Sequence, residues 1–364
     1  MWGFLEANNK KIQNMKIALV VPHLSNLGPV IVAKDLCNYY VAHDHYCEVF
    51  FFDPVYELDF PCKCNQISMS DKISFEGFDI VHSHGYRPDV FVARNKKRIK
   101  AKCITTLHQP ITYKGISLTY PKLKSLVGSI IWNWAVTKFD KVVLLNSVVK
   151  KQLTQISEQK KTIIFNGRNI SSDEKVEQSI KEKINKLKKK YTIVGTTSNI
   201  IARKGLEQIV NALPKLENYA FVAVGDGDER RNLEQLASKL EVQDRCIFLG
   251  YYKNATPYTN LFDIFIMCSR SEGFPLAFIE AAACGKPTIL SDIPIHKSIV
   301  SSDVVVFYKL DDIEDLIKKV KYISDNMAKY AKSVHELYKQ FLTVDKMSNS
   351  YLNLYNQLLL ENNK

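Results

Sequence analysis

The stretch FDIFIMCSRSEGFPLAFIEAAACGKPTILS (262–291) decides how the rest of the chain is read. FDIFIMC (262–268) is a short apolar run of the kind that forms a buried strand. A polar loop follows, Pro275 begins a helical stretch that Gly285 can terminate, and PTILS (287–291) returns as a second strand. A strand, a helix and a strand in succession predict parallel pairing. Two acids stand out. Glu272 falls in the loop at the carboxyl end of the first strand, and Glu280 lies among Leu276, Ala277, Phe278, Ile279, Ala281, Ala282 and Ala283. A buried carboxylate without a partner is expensive, so both need one.

The same alternation runs outward in both directions. Upstream, IALVV (17–21), EVFFFD (48–53), DIVHSH (79–84), KCITTL (102–107), KVVLLN (141–146) and TIIF (162–165) read as strands. Helical stretches separate most of them; PVIVAKDLCNYYVA (29–42) is expected to start on Pro29. The charged stretch SSDEKVEQSIKEKINKLKKK (171–190) breaks the series, which then restarts at YTIVGTT (191–197) and continues through AFVAVG, RCIFLG and the quoted unit to DVVVF (303–307). The expected fold is α/β, two doubly wound parallel sheets with C-terminal helices. The expected boundaries are an arm at 1–14, a first domain at 15–168, a second at 169–340, and a final helix at 341–364 packing back toward the first.

Composition narrows the function classes. A hydrophobic fraction of 46% excludes wholesale disorder. Eight cysteines include no C-x-x-C pair, which fits free thiols better than a disulfide framework or a zinc site. Cys62-Lys-Cys64 is the one close pair, and a surface loop is the favoured reading of it. The start MWGFLEANNKKIQN lacks a signal-peptide pattern, and no apolar run is long enough to span a bilayer. A cytoplasmic protein is expected, with peripheral contact at the inner face of the membrane. The formal charge of +12 is uneven: residues 1–165 hold 22 Lys/Arg and 13 Asp/Glu, a net of +9. ARNKKRIKAK (93–102) concentrates six of those bases, a footprint for an anionic surface or for a lipid-linked diphosphate. Nucleic acid is not expected, since no recognition motif accompanies the charge. In LKSLVGSIIWNWAVTKF (123–139), Trp132 and Trp134 beside lysines predict core packing first and an interfacial face second.

The first-turn amides around Phe274, Leu276 and Ala277 make an anion site, flanked by one carboxylate on each side. A nucleotide sugar presents a matching pattern of diphosphate, ribose hydroxyls and sugar hydroxyls. In SNIIARKGLEQIV (198–210), Lys204 is expected at a helix start, where a cation is unfavourable unless an anion is near.

SEGFPLAFIEAAACGKP, VGDGDERRNLEQLASKL, CIFLGYY and FNGRNI together resemble the retaining glycosyltransferases of family 4, which have a GT-B fold. The resemblance covers nearly the whole chain, and its most specific piece is the E-x7-E spacing of Glu272 and Glu280. It implies that Glu272 contacts the donor sugar, Glu280 the ribose and Lys204 the diphosphate. His108 in TTLHQP would face the reacting sugar, with His82 and His84 as supports. The catalytic set it implies is His108, Glu272 and Lys204. The donor-binding set is Gly28, Asn199, Arg203, Lys204, Glu272, Gly273, Phe274, Leu276, Ala277 and Glu280. Asn199 stands where the family usually has an arginine, and the first loop offers only Gly28 where paired glycines are common.

Two motifs carry less than they spell. Asp226-Gly-Asp228 has the residues of a turn between a strand and a helix, so no catalytic metal or other cofactor is expected. No G-x-G-x-x-G opens either half, which argues against a nicotinamide dinucleotide. The expected function is retaining sugar transfer from a nucleoside diphosphate donor, a UDP-hexose or UDP-N-acetylhexosamine. The expected acceptor is a saccharide, lipid-linked, in bacterial surface-polysaccharide assembly. A nucleotide-sugar epimerase on the same fold and a catalytically weak donor-binding partner are the alternatives.

Overall fold

The computed structural model describes residues 14–113, 121–170 and 175–361. The chain divides into two units, Met1–Gly167 with Thr343–Lys364, and Arg168–Leu342. The expected N-terminal arm lies outside the described residues apart from Asn14.

In the first unit the described strands are β1 (Lys16–Val21), β2 (Tyr46–Phe51), β3 (Lys63–Gln66), β4 (Ile80–His84), β5 (Lys102–Leu107), β6 (Lys141–Leu144) and β7 (Lys161–Ile163). They form one parallel sheet in the order β3-β2-β1-β4-β5-β6-β7. In the second unit β8 (Thr192–Thr197), β9 (Tyr219–Val224), β10 (Cys246–Phe248), β11 (Ile264–Met267), β12 (Thr288–Ser291) and β13 (Val306–Tyr308) pair in parallel as β10-β9-β8-β11-β12-β13. Each sheet therefore reverses direction beside its first strand, the point at which such folds bind ligands outside the strand carboxyl ends. Helices covering both faces explain why the central strands read as continuous apolar runs.

β3 is the strand that sequence reading missed. KCNQ has no apolar alternation, because an edge strand buries little; two of its residues are exposed and two half-buried. Pro29 is also displaced from expectation: Gly28 is the first residue of the helix Gly28–Ala42 and Pro29 the second.

The helix Lys122–Val136 divides its two tryptophans. Trp132 is buried and donates through Nε1 to Asp89 at 2.6 Å. Asp89 also accepts from the Ser83 and Thr105 hydroxyls, at 2.6 and 2.7 Å, so its buried carboxyl is satisfied from three elements. Burial nevertheless pushes its pKa up to about 7. Trp134 is exposed, with the Lys138 ammonium 5.8 Å from its ring.

The last helix, Val344–Leu360, belongs to the first unit and is held there by a polar relay through the core. Tyr40 donates to Tyr355 at 3.1 Å, and the Tyr355 hydroxyl meets His82 Nδ1 at 2.7 Å. His82 Nε2 meets Thr106 Oγ1 at 2.8 Å, which in turn meets the Tyr351 hydroxyl at 2.8 Å. His84 Nδ1 lies 2.9 Å from His108 Nε2. His82, expected as a support, is a buried link between β4 and the C-terminal helix.

Burial pushes the pKa of His82 and of His108 down to about 3, and that of His84 well below its ordinary value. Protons then bind the unfolded chain first as pH falls below about 6.5, so stability decreases through that range. Each histidine contributes at most about 1.4 kcal/mol per pH unit. Denaturant unfolding at pH 7.5, 6.5 and 5.5 should show the loss, with a shallower slope in His82→Asn. Equal slopes in the two proteins would contradict a buried neutral His82.

Candidate active site

In the second unit the loops after β8 and β11 meet at the sheet's point of reversal. Lys204 Nζ contacts Glu272 Oε1 at 2.6 Å, and Arg203 Nη1 lies 3.6 Å from Glu272 Oε2. Arg203 also donates to the Ser271 carbonyl. Glu272 is 6% exposed. Burial on its own would raise its pKa. The Lys204 ammonium, hydrogen bonds from Lys204 and Ser269, and the Arg203 guanidinium outweigh that and leave it below the ordinary value. Glu272 is thus an ionised carboxylate held by two cations.

Lys204 is not at a helix start. It ends the short 3-10 turn Ala202–Lys204, and the helix Glu207–Ala212 begins three residues later. The dipole penalty expected for it therefore does not arise, and the nearby anion is a side chain of the protein itself. Gly205 makes this geometry possible. It sits at φ 62°, and a Cβ there would come within 2.5 Å of the Cys268 carbonyl oxygen and the Gln208 side chain. Gln208 is buried and donates to the Cys268 and Gly205 carbonyls, while accepting from the Tyr308 hydroxyl and the Asp311 amide. Arg270 donates to the Ala202 carbonyl and pairs with Glu207 and Asp311. These contacts clamp the β8 loop against the β11 loop.

After Glu272, Gly273 and Phe274 lead to Pro275, which caps the helix Leu276–Ala283 without a side-chain hydrogen bond. The Phe278 and Ile279 amides close on the Pro275 carbonyl, leaving the Leu276 and Ala277 amides as the foremost donors of the helix. Gly285 follows at φ 61°, one residue beyond the cap Cys284. Glu280 is fifth in the helix and pairs with Arg168 Nη2 at 3.4 Å. Both side chains are largely buried.

Asn199 lies in the irregular segment after β8. The next residue, Ile200, is bonded to the 226–229 turn through Ile200 N to Asp226 O and Glu229 N to Ile200 O. The D-x-D string forms that turn: the Asp226 carboxylate accepts from the Gly227 amide and pairs with Arg230 at 3.1 Å.

Gly28 and His108 belong to the first unit. Gly28 opens its helix, and His108 follows β5 and is half-buried against His84.

The model of glycosyl transferases group 1 matches residues 177–340, and that of Glycosyltransferase Family 4 matches residues 65–172. An O-antigen biosynthesis glycosyltransferase of Escherichia coli, WclY, is 30% identical over 360 residues, covering 95% of this chain and 99% of that one. The chain belongs to glycosyltransferase family 4. A more distant relative, a UDP-Gal:alpha-D-GlcNAc-diphosphoundecaprenol alpha-1,3-galactosyltransferase of E. coli, is 24% identical over 281 residues, 71% of this chain and 70% of that one. Sucrose-phosphate synthase from Thermosynechococcus elongatus superposes with a TM-score of 0.80 at 18% identity, covering 96% of this chain and 100% of that one. The glycosyltransferase has the GT-B fold.

Three residues around the candidate site of this glycosyltransferase are not legible in the sequence. Arg168, in FNGRNI, is the partner of Glu280. Gln208 looks like an ordinary polar helix residue, and only its burial gives it away. His296 is fully buried after β12, and Glu272 and Lys204 both act on it electrostatically. Its Nδ1 meets the Ser291 carbonyl at 2.8 Å and must donate there. Nε2 is then an acceptor, with no partner among the described residues.

Proposed function

We propose that this glycosyltransferase transfers a sugar with retention from a UDP-hexose or UDP-N-acetylhexosamine to a lipid-linked saccharide of a bacterial surface polysaccharide. The observation that carries the reading is the buried, ionised Glu272 held between Lys204 and Arg203 beside the open first turn of Leu276–Ala283. The names of the two E. coli relatives support the substrate class: one belongs to O-antigen biosynthesis, the other uses UDP-Gal and a diphosphoundecaprenol acceptor.

The roles follow from charge. Departure of the nucleoside diphosphate builds negative charge on its oxygens and oxocarbenium character on the sugar. Lys204, with the Leu276 and Ala277 amides, meets the first, as preorganised donors that need no reorganisation during reaction. Arg203 supplies the second cation, the part that Asn199 cannot play. Glu272, already desolvated, accepts hydrogen bonds from sugar hydroxyls, and the buried His296 Nε2 is a further free acceptor of the second unit. Glu280, oriented by Arg168, takes the ribose hydroxyls. His108 faces the reacting sugar, and the departing phosphate oxygen receives the acceptor's proton. No metal enters this scheme.

The two carboxylates separate under mutation. Glu280→Gln forfeits charge-assisted hydrogen bonds of about 1.5–3 kcal/mol each, so UDP and UDP-sugar lose affinity together, by ten-fold or more. Glu272→Gln leaves UDP affinity nearly unchanged and lowers turnover. Calorimetry with UDP, beside initial rates with a panel of UDP-sugars, checks both. Equal weakening of UDP by the two variants would contradict the division, and a new UDP-sugar formed without acceptor would make the enzyme an epimerase.

Peripheral membrane contact has its own support. No helix among the described residues is long and apolar enough to cross a membrane. The helix Lys122–Val136, however, turns Leu123, Leu126, Val127, Ile130 and Trp134 outward, with Lys122, Lys124 and Lys138 beside them. Ser125, Ser129 and Trp132 face inward instead. An apolar stripe edged by lysines suits the interface of an anionic bilayer. The basic 93–102 segment contributes Arg94, Lys97, Arg98 and Lys100, all exposed. Lys96 is committed to Asp140 at 2.6 Å and drops out of that footprint. Sedimentation with phosphatidylglycerol vesicles should capture the protein, less so at high salt. Leu126→Asp with Ile130→Asp should abolish capture without changing the far-ultraviolet spectrum. Capture unaffected by the pair would contradict this face.

A further inference from the structure

Four of the eight cysteines sit around the β3 edge of the first unit, where the function has no use for them. Cys37 comes from the helix Gly28–Ala42, Cys47 from β2, and Cys62 from the residue before β3. The Sγ atoms of these three lie within 4.8 Å of one another, and those of Cys37 and Cys62 are 3.4 Å apart. Cys37 and Cys47 are buried and Cys62 is half-buried. The fourth, Cys64, is on β3 and turns its thiol to the Cys62 carbonyl at 3.6 Å. The close pair in the sequence is thus not the pair in space. Cys62 finds partners 25 and 15 positions away because β2 and β3 lie side by side, and Cys64 stays outside the group.

We infer that Cys37, Cys47 and Cys62 form a binding site for one soft metal cation, Zn²⁺ or another thiophilic d¹⁰ ion, which fastens the edge strand to the sheet and its covering helix. The geometry fits without rearrangement of the backbone. Four-coordinate zinc with Zn–S distances of about 2.3 Å separates its sulfurs by roughly 3.8 Å. That value falls between the 3.4 Å of Cys37 and Cys62 and the 4.8 Å limit of the set. Thiolates select such ions over the hard cations that carboxylates prefer. Three protein sulfurs leave one position for water or another small ligand, and the half-buried Cys62 marks the side from which it enters.

The site also answers a structural need. β3 is four residues long, holds no large apolar side chain, and is followed by a segment without regular structure up to β4. A cation shared by three elements supplies the cohesion that such an edge cannot draw from burial. Each ligating thiol gives up its proton on binding, so uptake of the ion releases protons and weakens as the pH falls. The site is built from other elements than the Lys204 and Glu272 loops and takes no part in sugar transfer.

The full chain, purified under reducing conditions and stripped of metal, is titrated with Cd²⁺ alone as a spectroscopic probe and with Zn²⁺ in competition with a chromophoric chelator. The expected result is one equivalent bound per chain, with a thiolate-to-cadmium absorption band, proton release and a higher melting temperature. Cys62→Ser should lose the equivalent and the band, while Cys64→Ser keeps both. Absence of stoichiometric binding to the wild-type chain with its thiols reduced would overturn the inference, whatever the variants do. So would retention of the band in Cys62→Ser, or its loss in Cys64→Ser alone. Recovery of a Cys37–Cys62 disulfide from chain prepared without oxidant would overturn it too, by showing a redox pair in place of a metal site.

Discussion

A carboxylate that is 6% exposed cannot remain ionised without compensation, and the second unit is organised around supplying it for Glu272. Lys204 delivers the compensating charge from the loop after β8, and Arg203 reinforces it. That requirement fixes much else. The 3-10 turn must end at Lys204, Gly205 must take a left-handed conformation, and the turn must lie against Cys268, where only a residue without a Cβ fits. Gln208 and Arg270 then hold the two loops together through backbone carbonyls. Removing one member of such a pair leaves a buried charge uncompensated, typically a loss of about 3–5 kcal/mol. Of the two cations aimed at this place, Lys204 is largely desolvated and Arg203 is half-exposed, an arrangement that suits the anionic donor proposed above.

The first unit solves a different problem with neutral groups. Its central strand β4 buries His82, Ser83 and His84, and each finds a partner on another element. The relay from Tyr40 to Tyr351 ties a helix distant in sequence to the sheet, and Asp89 does the same for Trp132. Burial keeps the three histidines uncharged. The outward apolar stripe of Lys122–Val136 is the counterpart of this inward polarity: with Trp132 and two serines turned to the core, the larger aliphatic residues are left facing out.

Much of this was legible in the sequence. Central strands of a parallel sheet are largely apolar, so runs such as IALVV mark themselves, and the strand, loop and helix around Glu272 follow from their residues alone. What was not legible depends on contacts between distant residues. β3 has an edge strand's composition, which differs little from a loop. The cysteine group needs the β2–β3 pairing to exist before it can be seen. Lys204 was found for a reason that the structure replaces, since a 3-10 turn and a helix start share the same local residue pattern. His296, Gln208 and Arg168 carry no local signal; burial and the partners each one meets in the fold define them.

In the proposed reaction Lys204, balanced by Glu272 in the free protein, receives the donor's diphosphate. Calorimetric titration of uridine and of UDP into the wild-type chain and into Lys204→Met, with folding verified for each, tests it most directly. The account predicts that the wild type binds UDP far more tightly than uridine, and that Lys204→Met erases most of that difference while leaving uridine affinity in place. An unchanged UDP affinity in Lys204→Met, or an equal loss for uridine and UDP, would contradict it.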